Sequence, residues 1–216
     1  MHATDSQPKS PARSGAWGWI LLALVAAGSF AYLVVATAPS ARDAGTSNPA
    51  VGRTLQYLRL EPLAGGGDYV SIDDLRGRVS VINFWGTWCG PCIREFPDLV
   101  QMAERFADRE DFRFYPVSCG QGEDIEVDEL RLATEEFLQA RNVQLVTYSD
   151  QNAATRHALS MLLSLPQFAY PMTLVVDQSG KIRGFWVGYD PRYVGHMTSL
   201  VQELLDKADA VPPASS

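Results

Sequence analysis

Hydrophobic and polar positions divide the chain into one uniformly apolar stretch and a longer region of alternating strand-like and helix-like periods. Trp17 to Thr37 (WGWILLALVAAGSFAYLVVAT) contains no charged residue. Its length suits a helix crossing the roughly 30 Å hydrocarbon core of a bilayer. Further on, Leu55 to Leu60 alternates and predicts a first strand, and Tyr69 to Ile72 predicts a short extended piece after the turn Ala64-Gly65-Gly66-Gly67-Asp68. Val79-Ser80-Val81-Ile82 predicts a buried strand running into Phe84 and Trp85. A helix is predicted from Ile93 to about Ala107. Its apolar face continues through Leu99, Val100, Met102, Ala103 and Phe106, past Pro97, where a proline removes a backbone bond and kinks the helix. Phe112 to Ser118 reads as the next parallel strand, with Pro116 an awkward member. Helices over Asp128–Arg141, Asn152–Leu163 and Tyr193–Lys207 then alternate with strands over Val143–Tyr148, Met172–Val176 and Ile182–Val187. The turn Asp177-Gln178-Ser179-Gly180 joins the last two strands as a hairpin. Such βαβ alternation, closed by a hairpin and a last helix, predicts an α/β sandwich.

The flanks of the apolar run give it a direction. Residues 1–16 are polar, carry Lys9 and Arg13, and read as a cytoplasmic tail by the positive-inside bias. Trp17 and Trp19 suit the membrane interface. A cleaved signal peptide with Ala36-Thr37-Ala38 as its cutting site competes with a retained anchor. The run exceeds an h-region of about 7–15 residues, and Pro39 would hinder the cut, so 17–37 is read as a transmembrane signal-anchor. Residues 38–53, rich in Ala, Ser, Gly and Pro, read as a flexible linker; 54–208 form the folded domain; 209–216 form a loose tail. The formal net charge of -7 argues against nucleic-acid binding. Three cysteines are too few for a disulfide scaffold.

The chemistry concentrates in Phe84-Trp85-Gly86-Thr87-Trp88-Cys89-Gly90-Pro91-Cys92. Cys89 falls where a buried strand hands over to a helix N-terminus. Orphan N–H groups and the helix dipole favour an anion there, so the Cys89 thiol should ionise below its free value of about 8.5. A thiolate is the nucleophile of thiol–disulfide exchange. Cys92, one turn on, faces back as the resolving thiol. Pro91 sits in the first turn, where a missing N–H costs nothing, and Gly90 leaves the sulfur approachable. A bare C-x-x-C also reads as half a zinc site, but the other candidate ligands are Cys119 and the scattered His2, His157 and His196.

The run from Phe84 through Cys92 and on through Ile93-Arg94-Glu95-Phe96-Pro97 resembles the active site of membrane-anchored thioredoxin-like proteins of the TlpA/ResA type. The resemblance extends from about Leu55 to Ala208 and includes the lead-in Asp73-Asp74-Leu75-Arg76-Gly77-Arg78. It implies a thioredoxin-like α/β fold, a central mixed β-sheet flanked by helices, with one N-terminal transmembrane helix and an extra segment around the second helix. It implies a cis bond before Pro171 facing the disulfide, with Tyr170 offering backbone groups to a substrate strand; Pro166 is the competing proline. Trp88, Gly90, Pro91, Tyr170 and Pro171 are thus the expected substrate contacts. Trp85 and Trp88 would wall the site, with Gly188 lining it. Glu95 matches an acid of ResA-like proteins that tunes the thiols or takes a proton, the alternative being an exposed helix glutamate. Asn83 stands where thioredoxin has a buried Asp.

These residues predict an enzyme, a thiol–disulfide oxidoreductase at the bacterial inner membrane, single-pass, with its catalytic domain in the periplasm. No cofactor is expected beyond the Cys89–Cys92 couple. Relatives of this type reduce apocytochrome c and draw electrons from a membrane donor of the DsbD/CcdA type, so those are the implied partners. The Gly-Val-x-Gly-x-Pro-Glu-Thr pattern of the CcmG type is absent. Rival readings are a disulfide-forming oxidase, an isomerase, and a copper chaperone or metal-binding module, although that last group uses C-x-x-x-C. A peroxiredoxin would need its Thr three residues before the cysteine, and Thr87 lies two before Cys89. Cys119 is either a third exchangeable thiol or a buried, inert one.

Overall fold

A computed structural model of the chain describes residues 45–122 and 125–209, together with Ile20, Leu24 and Val25. The chain divides into units 1–39 and 40–216, and the sheet and its helices lie in the second. The anchor expected over 17–37 lies almost wholly outside the described residues. Among the described residues no helix is long and apolar enough to cross a membrane.

Seven strands form one sheet: β1 (Arg59–Ala64), β2 (Val70–Ser71), β3 (Val79–Trp85), β4 (Phe112–Ser118), β5 (Thr147–Ser149), β6 (Met172–Val176) and β7 (Ile182–Val187). From Arg59 onward the described residues also form the α-helices α1 (Gly90–Arg105), α2 (Val127–Ala140), α3 (Ala154–Leu163) and α4 (Tyr193–Asp209). The strand order is β2-β1-β5-β4-β3-β6-β7. β3 runs parallel to β4 and antiparallel to β6, so the sheet is mixed.

Every residue of β3 is buried, as a run of β-branched and aromatic residues at the centre of a covered sheet should be. Its side chains alternate between faces. Ile82 and Phe84 join a core with Leu60, Val117, Leu159 and Leu174. Val79 and Val81 join another with Leu99 and Met102 of α1 and Met197 and Val201 of α4. The period-2 pleat thus feeds two cores from one strand. A third cluster gathers at the strand's carboxyl end, where Trp85 meets Cys89, Cys92, Phe96, Phe137 and Leu138.

Several sequence expectations shift. The first strand is Arg59–Ala64 rather than Leu55–Leu60, because Leu55 and Leu58 are buried in the core ahead of the strand that pairs with β5. The linker expected over 38–53 does not reach Arg53, because the last of those residues are folded. Ala50 is buried, the Gly52 N–H donates to the Ile182 carbonyl, and the Ile182 N–H donates to the Arg53 carbonyl. The strand expected over Val143–Tyr148 is reduced to Thr147–Ser149. A 3₁₀ turn over Gln151–Ala153, with Asn152 and Ala153 at positive φ, displaces the start of α3 to Ala154. Pro116 is accommodated in β4 because β5 pairs only with Val117 and Ser118. A residue without an N–H is tolerated where a strand has a neighbour on one side only. α1 continues through Pro97, which is exposed. α2 and β5 fall between β4 and α3, in the place of the extra segment.

Candidate active site

The site grows from the junction of β3 with α1. Trp85 ends the strand, Gly86-Thr87-Trp88 turns the chain, and Cys89 is the N-cap of α1. Its Sγ accepts from the N–H of Cys92 at 3.2 Å, so sulfur takes the place of the oxygen that usually caps a helix. Pro91 occupies the first turn, and the Ile93 N–H closes back onto the Cys89 carbonyl. Cys89 and Cys92 are joined by a disulfide with their Cα atoms 5.2 Å apart. Both are buried, while Gly90 is exposed and Pro91 half-exposed.

Trp88 and Trp85 have different surroundings. Trp88 is 41% exposed, and its Nε1–H donates to the Cys119 carbonyl at 2.9 Å. That fold-back needs Gly86: a Cβ there would lie 2.5 Å from the Trp88 indole nitrogen and 2.8 Å from the Cys119 carbonyl oxygen. A cleft of about 550 Å³ opens beside it, lined by Thr87, Trp88, Gln121, Gly122, Ile125 and Glu129. Trp85 lies behind the disulfide, packed between Phe96 at 4.7 Å and Phe137 at 5.0 Å.

The Tyr170–Pro171 bond is cis. β6 begins at Met172, which pairs with Phe84, so the Tyr170–Pro171 unit arrives at the same sheet edge as Trp85 and the cysteines. Gly188, at a φ of 78° that favours glycine, donates its N–H to the Pro171 carbonyl. Tyr170 packs against the cluster holding both cysteines and meets Trp88 edge-to-face at 5.4 Å.

Glu95 is 1% exposed, so the exposed-glutamate alternative fails. One turn beyond Cys92, it lies on the same buried side of α1. Its Oε2 is 3.4 Å from the Asn83 amide, which also donates to Thr173 at 2.9 Å; Oε1 meets no partner. Burial pushes its carboxyl up to about 8, opposed by the Asn83 contact and aided by nearby Asp98. Cys119 is buried too, and desolvation raises its thiol to about 12.

Sequence reasoning did not single out Asp150 and Arg156. Asp150 accepts from the N–H groups of Thr155 and Arg156 and from Arg156 Nε, and Arg156 reaches the Tyr170 hydroxyl at 2.7 Å. The only signal was an Asp at a helix entrance, which usually marks no more than a cap. His157 and His196 lie in α3 and α4, and His2 lies outside the described residues. Among the described residues no three His, Cys, Asp or Glu side chains group as a metal would need.

The chain is similar to proteins named for thiol–disulfide chemistry. It is 28% identical over 142 residues to the thiol-disulfide oxidoreductase ResA of Geobacillus kaustophilus, covering 64% of this chain and 70% of that one. It is 28% identical over 139 residues to the thiol:disulfide interchange protein DsbE of Pseudomonas aeruginosa, covering 63% and 67%. The fold matches a crystal structure of a thioredoxin-family thiol:disulfide interchange protein from Chlorobium tepidum at a TM-score of 0.55 and 21% identity, covering 71% of this chain and 98% of that one. The AhpC/TSA family pattern matches residues 51–185, most of the chain, and the chain belongs to that thioredoxin-like family.

Proposed function

We propose that this chain is a thiol–disulfide oxidoreductase that reduces disulfides in partner proteins outside the cytoplasm. The observation that carries this is the Cys89–Cys92 disulfide at the N-terminus of α1, with an N–H aimed at Cys89 Sγ. In the reduced protein the same N–H and the helix dipole favour a Cys89 thiolate. That thiolate attacks one sulfur of a substrate disulfide, forms a mixed disulfide and expels the other substrate sulfur as a thiolate, which takes up a proton. Cys92 then loses its proton and attacks Cys89 Sγ. The substrate's second thiolate departs, and the Cys89–Cys92 disulfide closes. Two electrons pass to the substrate, and an external dithiol donor must restore the enzyme. In this reading Glu95, buried one turn beyond Cys92 and with a raised proton affinity, exchanges the proton of Cys92. Trp88, Gly90, Pro91, Tyr170 and Pro171 form the docking surface. An extended substrate segment would lie along the Tyr170–Pro171 backbone.

The names of the similar proteins support the reaction class. The apolar stretch 17–37, preceded by Lys9 and Arg13, supports a membrane anchor with the domain on the far side of the bilayer. Apocytochrome c as substrate and a DsbD/CcdA-type donor complete the reading. The test is the reduction potential of the Cys89–Cys92 couple in the full chain, equilibrated in glutathione and dithiothreitol buffers. A value near or below about -270 mV marks a reductant. A value toward about -120 mV overturns it in favour of a disulfide-forming oxidase.

A further inference from the structure

The molecule commits a buried ion pair to a tyrosine beside its disulfide. Asp150 has a fully buried side chain, and its two oxygens take the Thr155 N–H at 2.8 Å, the Arg156 N–H at 2.9 Å and Arg156 Nε at 3.0 Å. Every partner lies in the first turn of α3, so the carboxylate both caps the helix and locks the guanidinium. Arg156 is itself nearly buried, with 13% of its side chain exposed. Its other branch donates to the Tyr170 hydroxyl at 2.7 Å. The Tyr170 ring packs edge-on against Trp88, whose indole donates to the Cys119 carbonyl.

A buried pair of this kind is a poor device for stability, since apolar residues of similar volume often do as well or better. What it supplies is a fixed position for the atom at its end. Here that atom belongs to the residue preceding Pro171, whose backbone lies just beyond the β3–β6 ladder at the sheet edge of the cysteines.

We infer that Arg156, clamped by Asp150, is a positioning residue for protein disulfides: it holds Tyr170 by its hydroxyl and so fixes the backbone rail on which a polypeptide substrate docks beside Cys89. This rests on the oxidoreductase reading above. A small disulfide needs only the sulfur of Cys89, whereas a polypeptide needs the rail. The arrangement therefore separates the two substrates.

The experiment uses the full chain in detergent, with insulin as the protein disulfide and oxidised glutathione as the small one. Tyr170→Phe keeps the ring and removes the hydroxyl; Arg156→Met removes the charge; Arg156→Lys keeps it. In Tyr170→Phe and Arg156→Met the KM for insulin rises roughly tenfold, as expected for losing a hydrogen bond to a charged group. In Arg156→Met the rate with oxidised glutathione and the reduction potential stay at wild-type values, and Arg156→Lys recovers part of the loss. An unchanged insulin KM in Tyr170→Phe overturns the inference. So does an equal loss on both substrates, which would mark a merely structural pair. Should Arg156→Met fail to fold, Tyr170→Phe alone decides. A wild-type chain that exchanges with neither substrate overturns the oxidoreductase reading, and the inference with it.

Discussion

The side-chain amide of Asn83 lies 3.4 Å from Oε2 of Glu95, while Oε1 of the same carboxyl has no partner. One long hydrogen bond from a neutral amide does not replace the hydration that a carboxylate loses on burial. The group therefore keeps its proton to about pH 8, against 4.5 when unperturbed.

A pH dependence of stability results. Between 4.5 and about 8 the folded protein binds a proton at Glu95 that the unfolded chain has released, so stability falls as pH rises through this window and the loss is complete above it. The full effect is on the order of 5 kcal/mol. Glu95→Gln removes that slope. Urea unfolding of the oxidised protein at a series of pH values checks it: the wild type should lose ground to Glu95→Gln steadily toward pH 8. A constant difference between the two would refute the assignment.

The third cysteine should be chemically silent. Cys119 is buried, its thiol is raised to about 12, and its Sγ faces the Val117 carbonyl at 3.6 Å. Thiolate is the reactive species. Treating the oxidised protein with iodoacetamide at pH 8 should leave it unmodified, and one label should enter after denaturation. Labelling of the native protein would restore Cys119 as a candidate exchangeable thiol.

Gly86 offers a test of the turn before the cysteines. A methyl group there meets the Cys119 carbonyl oxygen at 2.8 Å, and that atom is backbone that cannot swing aside. Gly86→Ala should destabilise the protein by about 1–3 kcal/mol. It should also break the Trp88–Cys119 bond, shifting Trp88 emission toward that of a solvated indole. Thermal unfolding and tryptophan fluorescence report both effects. A variant with wild-type stability and emission would show that the turn has room to spare.

How much of this was legible in the sequence depends on the range of the forces involved. The bounds of β4, β6 and β7 match the expected ones, because period and turn residues decide them locally. The start of β1 does not, because Leu55 and Leu58 are apolar for packing rather than for pairing, and a period cannot tell those apart. Cys89 and Cys92 announce themselves through spacing. The burial of Glu95 does not, since a glutamate on an amphipathic helix reads as solvent-facing until the helix is docked. Arg156 and Tyr170 are 14 residues apart, across the end of α3 and a loop, and no local pattern links them.

The folded lead-in has one more effect. Gly52, Arg53 and Leu55 occupy backbone groups of Ile182 and Gly180, and Thr54 bridges Lys181. They do so where β7, the last strand of the sheet, begins. An outer strand with vacant N–H and C=O groups invites another chain to add itself. By laying its own entering segment there, the molecule blunts the start of that seam against intermolecular strand addition.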